Sequence, residues 1–170
     1  ASIVYDTITI YRDIADDNPL APWARRGDAP SMTARYTHGH DEAVLRSHRW
    51  RTVENSAPHL LPHVAPGLDL LDVGCGPGTI TLDLAERVAP GRTVGLDRVE
   101  EPLVEARRLA AERGDTTTEL VVGDLLALEW PDGSFDVVHA HQVLQHLADP
   151  VAALREMRRV CRPGGIVAVR

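Results

Sequence analysis

The sequence contains few cysteines and few aromatic residues. Cys75 and Cys161 are the two cysteines in 170 residues, and Phe135 is the single phenylalanine. Two cysteines cannot form the disulfide framework of a small secreted domain, so we expect a reduced, cytoplasmic protein. With few aromatic residues, the core must be built mainly from Leu, Val, Ile and Ala, which suits buried parallel strands.

The sequence also lacks an excess of positive charge and a long apolar run. Acidic residues outnumber basic ones by 25 to 18, which gives a formal net charge of −7. This balance removes the usual electrostatic basis for binding nucleic acid or an anionic membrane. No apolar run approaches the roughly 18 residues of a membrane span, and the first residues do not resemble a signal peptide. We therefore expect a small-molecule substrate, and neither a nucleic acid nor a membrane, as the partner.

From residue 68 onward, short β-branched runs alternate with helical stretches. This alternation predicts parallel strands joined by helices in an α/β, doubly wound, mostly parallel sheet. One helix follows the first strand, a second covers about 100–113, and a third begins at the cap residue Asp149, followed by Pro150. The predicted strands are 68–73, 93–97, 119–122, 135–140 and 166–169.

The first 67 residues are less regular. Residues 2–11 are rich in β-branched and aromatic side chains and predict a strand, whereas residues 16–33 are rich in Pro, Gly, Asp and Arg and predict a loop. Residues 42–57 predict a helix. A chain of this length fits one domain, which we divide into an N-terminal strand and linker (1–34), a helical segment (35–67) and an α/β core (68–170).

The most informative segment is LDLLDVGCGPGTITLDLA, residues 68–85, where an apolar strand enters a glycine-rich turn and then a helix. Gly74, Gly76 and Gly78 allow a sharp turn close to a ligand, next to the N–H groups of the helix. A dinucleotide-binding loop would place its third glycine three residues after the second, not two. Asp72 precedes the loop and can pair with an ammonium group, but it would repel a phosphate.

The segment LDVGCGPGT resembles the first motif of class I S-adenosylmethionine-dependent methyltransferases, of the small-molecule, UbiE-like type. The segment VGLD follows, and its Asp97 lies about 20 residues after the loop, where an acidic side chain accepts hydrogen bonds from ribose hydroxyls. Segments 122–147 and 160–169 are similar to later motifs of the family, so the resemblance covers about residues 68–169. It implies a Rossmann-like methyltransferase fold and S-adenosylmethionine as the cofactor.

The resemblance also implies roles for residues after the second, third and fourth strands of the core. Arg98 and Val99 would lie against the adenine, and Asp124 would accept a hydrogen bond from its amino group. Leu125 would offer its backbone N–H, and His141 would hold the methionyl amine through its main-chain carbonyl. An isolated aspartate at such a position is also commonly a turn or cap residue, so that interpretation stays open for both Asp97 and Asp124.

Several histidines are candidates for chemistry. His139 and His141 alternate on one predicted strand and so share a face, and His38 and His40 lie close together in the N-terminal part. Neither pair has a third ligand at a convincing spacing, so we expect no metal site. If the methyl acceptor is an oxygen or nitrogen atom, His146, His141 and His38 are the candidates for a general base, and His146 can equally be a structural residue.

Residues 35–57 resemble the helical lid that small-molecule members of the family fold over the cofactor. Tyr36, His38 and His40 would then contact the substrate. A surface helix with solvated polar residues is the alternative.

The end of the sequence departs from the family pattern. Arg170 lies inside or just after the last predicted strand, where the family's sheet continues with an antiparallel pair, so we expect a C-terminally truncated sheet that lacks this pair. The strand predicted at 2–11 is a candidate to cover the edge beside 166–169, either from the same chain or from a second copy in a homodimer.

These observations predict S-adenosylmethionine-dependent methyl transfer to a small-molecule acceptor, with the cofactor supplying the activated methyl group. The activity of the truncated chain stays open. One alternative is a non-catalytic methyltransferase-like module that binds the cofactor or another protein. The other is a nicotinamide-dependent oxidoreductase, which the close glycine spacing and Asp72 disfavour.

Overall fold

The computed structural model describes residues 9–12 and 50–170. It contains strands β1 (Thr9–Arg12), β2 (Leu70–Val73), β3 (Thr93–Asp97), β4 (Glu119–Val122), β5 (Phe135–Ala140) and β6 (Cys161–Val169). The helices are α1 (Val53–Ser56), α2 (Thr79–Val88), α3 (Glu100–Arg113) and α4 (Pro150–Val160), and short 3-10 turns cover Leu61–His63 and Leu144–His146. Over these residues no helix combines the length and the apolar character needed to cross a bilayer.

The six described strands form one sheet in the order β1-β6-β5-β2-β3-β4. Strands β2 to β6 are mutually parallel, and β1 is antiparallel to β6. Strands β3 and β4 extend the sheet on one side of β2, and β5 and β6 extend it on the other. The order of the strands therefore reverses between β2 and β5, and ligands of open α/β sheets bind at this point, at the carboxyl ends of the strands. The predicted doubly wound fold is confirmed.

Helices cover both faces of the sheet, and each face has its own apolar cluster. On one face, Met157 of α4 packs with Phe135 and the inward side chains of the central strands. On the other face, Val53 of α1 and Leu84 of α2 pack with Leu70 and its neighbours. These side chains are fully buried, and each contributes roughly 1.5–3 kcal/mol through the area removed from water. Burial on both faces explains why the strand sequences are continuously apolar.

The start of α4 agrees with the sequence prediction. Asp149 caps the helix and accepts a hydrogen bond from the backbone N–H of Ala152 at 2.8 Å, and Pro150 occupies the first turn. The helix runs directly into β6, which begins at Cys161, five residues earlier than predicted. The guanidinium of Arg162 in this extension donates to carboxylates at the start of β2 and of β5, at Asp69 and Asp136. The extension therefore joins three strands at the edge opposite the ligand-binding edge.

The predicted N-terminal strand is confirmed for residues 9–11, and it lies where the sequence placed it. Thr9 pairs with Val169 and Arg12 with Ile166, so β1 covers the outer edge of β6 within one chain. This pairing satisfies backbone groups of β6 that would otherwise be exposed at the sheet edge. The homodimer through this strand stays a prediction.

The helix predicted over 42–57 is wrong at residues 50–52. Thr52 has an extended backbone and caps a helix that begins only at Val53 and ends at Ser56. The Thr52 hydroxyl accepts from the N–H of Asn55, and the Asn55 side chain accepts from the N–H of Thr52. This reciprocal capping box fixes the start of the helix at Val53, whereas the sequence prediction ran through this point without a break. The part of the prediction at 42–49 lies outside the described residues.

Candidate functional site

The glycine loop, residues 74–78, joins β2 to α2 at the switch point of the sheet. The backbone N–H groups of Gly74 and Cys75 both donate to the carbonyl of Leu96 in β3, at 2.7 and 3.0 Å. Gly78 has a left-handed backbone and is the N-cap of α2. The loop is therefore held against the neighbouring strand and leads directly into the helix.

Two of the three glycines are required by packing within the protein. A Cβ on Gly74, where φ is +69°, would lie 2.4 Å from Cγ2 of Val143. A Cβ on Gly78, where φ is +77°, would lie 2.9 Å from Cβ of Ala106 in α3. Real side chains do not approach so closely, and positive φ is costly for residues with a Cβ. Glycine at these two positions lets the loop pack against the β5–α4 connection and α3.

Cys75 occupies the centre of the loop but is not placed to act as a nucleophile. Its side chain is buried, and it is not part of a disulfide. Burial, together with the nearby carboxylates of Asp72 and Asp97, raises the pKa of the Cys75 thiol well above its ordinary value. The thiolate that nucleophilic chemistry needs is therefore disfavoured, and Cys75 packs beneath the loop.

Asp97 ends β3 and contacts the loop directly. Its Oδ2 accepts a hydrogen bond from the backbone N–H of Gly76 at 2.9 Å, and its Oδ1 accepts from the N–H of Val99 at 3.3 Å. The carboxylate is partly exposed, and Arg98 and Val99 after it are exposed. A carboxylate has about four acceptor positions, so Asp97 keeps capacity for a ligand hydroxyl while it orders the loop.

Asp124 and Leu125 follow β4, next to the end of β3. Gly123 donates its N–H to the carbonyl of Asp97 at 2.9 Å, which joins the two strand ends. The exposed Asp124 carboxylate accepts from the N–H of Leu126 at 2.9 Å, and the Leu125 side chain is buried. Asp124 is therefore a turn residue, as the alternative interpretation of the sequence had it. Its carboxylate still faces solvent at the ligand-binding edge.

Asp72 makes contacts that the sequence did not reveal. It is buried in β2 and pairs in register with His139 of β5. Its Oδ1 lies 2.8 Å from Nδ1 of His139, and its Oδ2 accepts from the hydroxyl of Thr81 in α2 at 2.6 Å. Both oxygens thus have a partner within the protein. The pairing of Asp72 with a ligand ammonium group stays a prediction.

His139 belongs to a cluster of three histidines, which we call the histidine cluster: His59, His139 and His141. The ring of His139 lies 6.5 Å from each of the other two rings, measured between centroids, and it is nearly parallel to that of His141. Four ring nitrogens of the cluster are buried and have no hydrogen-bond partner within the described residues: both of His59, Nε2 of His139 and Nδ1 of His141.

The pKa values of His59 and His141 are lowered, which favours their neutral forms. Burial lowers the pKa of His141 to about 4, and the charge of Arg51 and the neighbouring His139 act in the same direction. Burial also lowers the pKa of His59, assisted by His139 and Arg170. Neutral imidazole has one donor and one acceptor nitrogen, so His59 and His141 offer both functions at neutral pH. Across residues 9–12 and 50–170, no three His, Cys, Asp or Glu side chains are arranged to hold a metal ion.

The other two candidate bases differ in position. His146 ends the 3-10 turn Leu144–His146, partly exposed, with its backbone N–H donating to the carbonyl of Val143 at 2.9 Å. His38 lies outside the described residues, as do Tyr36 and His40. The fold therefore brings Asp72, the glycine loop and Asp97 to one edge, with Asp124 beside them and His141 at the end of β5.

The sequence did not point to His59 or to the contact between His139 and Asp72. The alternation of His139 and His141 correctly indicated a shared face. The register that places His139 opposite Asp72 joins strands 67 residues apart and leaves no local pattern.

The fold and the site together define an α/β protein with a glycine loop at the reversal of strand order, the point at which ligands of such sheets bind. The family model described as "Methyltransferase domain" matches residues 71–169. The chain belongs to this methyltransferase family.

Two relatives show the extent of the similarity. An uncharacterized methyltransferase of Schizosaccharomyces pombe is 39% identical over 148 residues, which are 83% of this chain and 53% of the relative. A demethylmenaquinone methyltransferase of Lactococcus lactis is 40% identical over 102 residues, 59% of this chain and 40% of the relative. This second similarity agrees with the UbiE-like resemblance of the motifs. The matched part of the chain spans about half the length of the first of these relatives and less than half the length of the second.

A solved structure extends the comparison to the fold. The [4+2]-cyclase SpnF superposes with a TM-score of 0.59 and 32% sequence identity, covering 75% of this chain and 43% of the cyclase. Relatives of this fold thus include a protein named for a reaction other than methyl transfer.

Proposed function

We propose that this chain binds S-adenosylmethionine at the glycine loop and transfers its methyl group to a small-molecule acceptor. The observation that carries the proposal is the contact of Asp97 with Gly76: it fixes a carboxylate beside the glycine loop at the switch point of a methyltransferase-family sheet. Ligands of such sheets bind at this edge.

The residues present fit the cofactor. Asp97 and Asp124 are acceptors at the ends of adjacent strands, and each has acceptor positions beyond its backbone contacts. Such acceptors suit ribose hydroxyls and an exocyclic amine, which both donate. The loop, residues 74–78, contains no basic side chain that could bind a phosphate. In this assignment Asp97 holds the ribose, Asp124 and the N–H of Leu125 hold the adenine, and the carbonyl of His141 holds the methionyl amine.

The cofactor, when bound, supplies an activated methyl group, so the protein must mainly position the acceptor and exclude water. The packed loop and the buried strand ends provide a rigid wall for this purpose. The neutral His141 just after β5 provides a proton acceptor. A small-molecule acceptor agrees with the demethylmenaquinone methyltransferase among the relatives and with the net charge of −7.

The cysteines and the charge balance support proposals about the location and the partners of the chain. The two cysteines are buried and neither is part of a disulfide, which suits a reducing compartment, and we include a cytoplasmic location in the proposal. The acidic charge balance favours a small-molecule partner over nucleic acid or an anionic membrane.

The test has two stages. Isothermal calorimetry with S-adenosylhomocysteine and S-adenosylmethionine measures binding, and the proposal expects affinity in the micromolar range or tighter, as a single site. Incubation of the chain with methyl-deuterated S-adenosylmethionine and a small-molecule extract, followed by mass spectrometry, then detects a deuteromethylated product. Absence of binding would remove the proposal.

A second function has one observation in its favour. The similarity to a [4+2]-cyclase shows that a protein of this fold at 32% identity is named for chemistry without methyl transfer. Under this alternative the chain is a methyltransferase-like module that binds the cofactor without transferring the methyl group. Binding in the calorimeter without any labelled product in the extract would favour it over the enzyme.

A further inference from the structure

Several buried ring nitrogens of the histidine cluster lack hydrogen-bond partners within the described residues. Four of its ring nitrogens are buried and have no hydrogen-bond partner among residues 9–12 and 50–170, and His139 is wholly inaccessible to solvent. Buried polar atoms almost always have a partner, because leaving them without one costs much of their lost hydration. A concentration of such atoms in three neighbouring side chains indicates a place where a polar group binds.

The partner of His139 defines what that group must be. A carboxylate has only acceptor atoms, so Nδ1 of His139 carries the proton that it shares with Asp72 at 2.8 Å. The other nitrogen of a neutral ring, Nε2, then has a lone pair and no proton. This buried lone pair can be satisfied only by a donor, an O–H or an N–H.

The position of the pair connects it to the proposed site. Asp72 lies two residues before the glycine loop, and Thr81, which fixes the second oxygen of Asp72, lies in the first turns of the helix after it. His139 is therefore held by the strand and by the helix on both sides of the loop. His141 follows two residues later, just after the end of β5 at the ligand-binding edge of the sheet.

We propose that Nε2 of His139 is the proton acceptor for a hydroxyl-bearing methyl acceptor, and that Asp72 is the residue that positions it. This inference rests on the proposed function. The acceptor O–H donates to Nε2. The cofactor, when bound, would supply the methyl group to that oxygen, and the electron pair of its carbon–sulfur bond would stay on sulfur. The proton moves to Nε2, and the resulting imidazolium is paired with the Asp72 carboxylate. His59 and His141 supply the remaining polar wall, and the burial of the cluster excludes water.

Nuclear magnetic resonance of the full chain, labelled with ¹⁵N-histidine and saturated with S-adenosylhomocysteine, tests the assignment. Phenol and anisole serve as probes, because they have similar shapes and only phenol can donate a hydrogen bond. We expect His139 to carry its proton on Nδ1, and phenol, but not anisole, to shift its Nε2 resonance. A proton on Nε2, a shift with both probes, or no shift with either would overturn the inference.

A variant separates binding from a structural role. His139→Asn keeps an N–H that can reach Asp72 but removes the ring nitrogen Nε2, and His63→Asn changes a histidine outside the cluster. We expect phenol affinity to fall at least about tenfold in His139→Asn, as for a lost buried hydrogen bond, and to stay within twofold in His63→Asn. Melting temperature and S-adenosylhomocysteine affinity are measured on the same samples.

The two proposals fail separately in this design. If S-adenosylhomocysteine binds and the phenol response is absent or survives in a folded His139→Asn chain, the inference about His139 is wrong while the proposed function stands. If His139→Asn does not fold, the tautomer and the phenol and anisole responses of the unmodified chain decide alone. If the unmodified chain binds no S-adenosylhomocysteine, the proposed function fails and His139 has no methyl transfer to serve.

Discussion

The carboxylate of Asp97 accepts a hydrogen bond from the backbone N–H of Gly76 at 2.9 Å. This contact joins the end of β3 to the glycine loop after β2, and it orders two neighbouring segments of the proposed cofactor site through one side chain. A residue that contacts a ligand and also orders the loop beneath it has a larger effect when removed than either role alone would give.

Replacing Asp97 tests this coupling. We predict that Asp97→Ala lowers the affinity for S-adenosylhomocysteine at least about tenfold, because hydrogen bonds to a charged group contribute roughly 1.5–3 kcal/mol each. Calorimetry measures the loss, and Glu101→Ala, at an exposed position in the first turn of α3, is the control. Unchanged affinity in Asp97→Ala would remove the assignment of this residue to the ribose.

Replacing Gly74 tests the packing of the loop. Gly74 and Gly114 have nearly equal φ, +69° and +70°, but a Cβ on Gly114 would meet nothing within 4 Å. Gly114→Ala should therefore cost about 1–2 kcal/mol of unfolding free energy from backbone strain alone. Gly74→Ala should cost about 1–3 kcal/mol more, because its Cβ overlaps Val143. Chemical denaturation measures both losses.

A second substitution checks the cause of that difference. Val143→Ala removes the methyl groups that a Cβ on Gly74 would meet, so the double variant Gly74→Ala with Val143→Ala should recover part of the extra loss. Equal losses in Gly74→Ala and Gly114→Ala would show that the contact with Val143 is unimportant.

The depressed pKa of His141 predicts a stability that depends on pH. The unfolded chain titrates this residue near the ordinary value of 6.5, whereas in the folded chain burial, Arg51 and His139 lower its pKa to about 4. Between these values the unfolded state binds more protons, so the free energy of unfolding decreases as the pH falls through this window. The slope from this residue is at most about 1.4 kcal/mol per pH unit, and less because the ring is partly exposed.

Denaturation of the unmodified chain and of His141→Gln at pH 7 and pH 5 measures this contribution. The unmodified chain should lose more stability between the two pH values than the variant does, because carboxylates and the other histidines contribute equally to both. An identical loss in the two proteins would contradict the lowered pKa of His141.

The cap of α4 gives a prediction about stability away from the site. Asp149→Ala removes the acceptor for the N–H of Ala152 and should lower the free energy of unfolding by about 0.5–2 kcal/mol. Asp149→Asn keeps an acceptor of the same shape and should lose much less. Urea denaturation at neutral pH compares the three proteins, and a loss in Asp149→Asn as large as in Asp149→Ala would indicate that the cap is not the cause.

Much of the core was determined by local sequence patterns. Apolar strands, helical stripes, the Asp149 cap and the glycine turn each involve residues close together in the chain, so the five core strands and their helices could be predicted from residues 68–170. Strand ends were less certain, and β6 begins at Cys161 because the chain leaves α4 already extended, without a turn between them. The helix over 42–57 was predicted wrongly at 50–52, since the capping box of Thr52 and Asn55 starts the helix only at Val53.

Local sequence patterns predicted only part of the candidate site. The sequence by itself placed Gly74, Gly76, Gly78 and Asp97 at one edge, because the carboxyl ends of parallel strands necessarily meet there. Only the tertiary structure decided that Asp72 faces His139, that His59 lies beside His139, and that β1 pairs with the outer edge of β6. These contacts depend on strand register and on packing between distant segments, which are set by the burial of whole faces of the sheet rather than by any short run of residues.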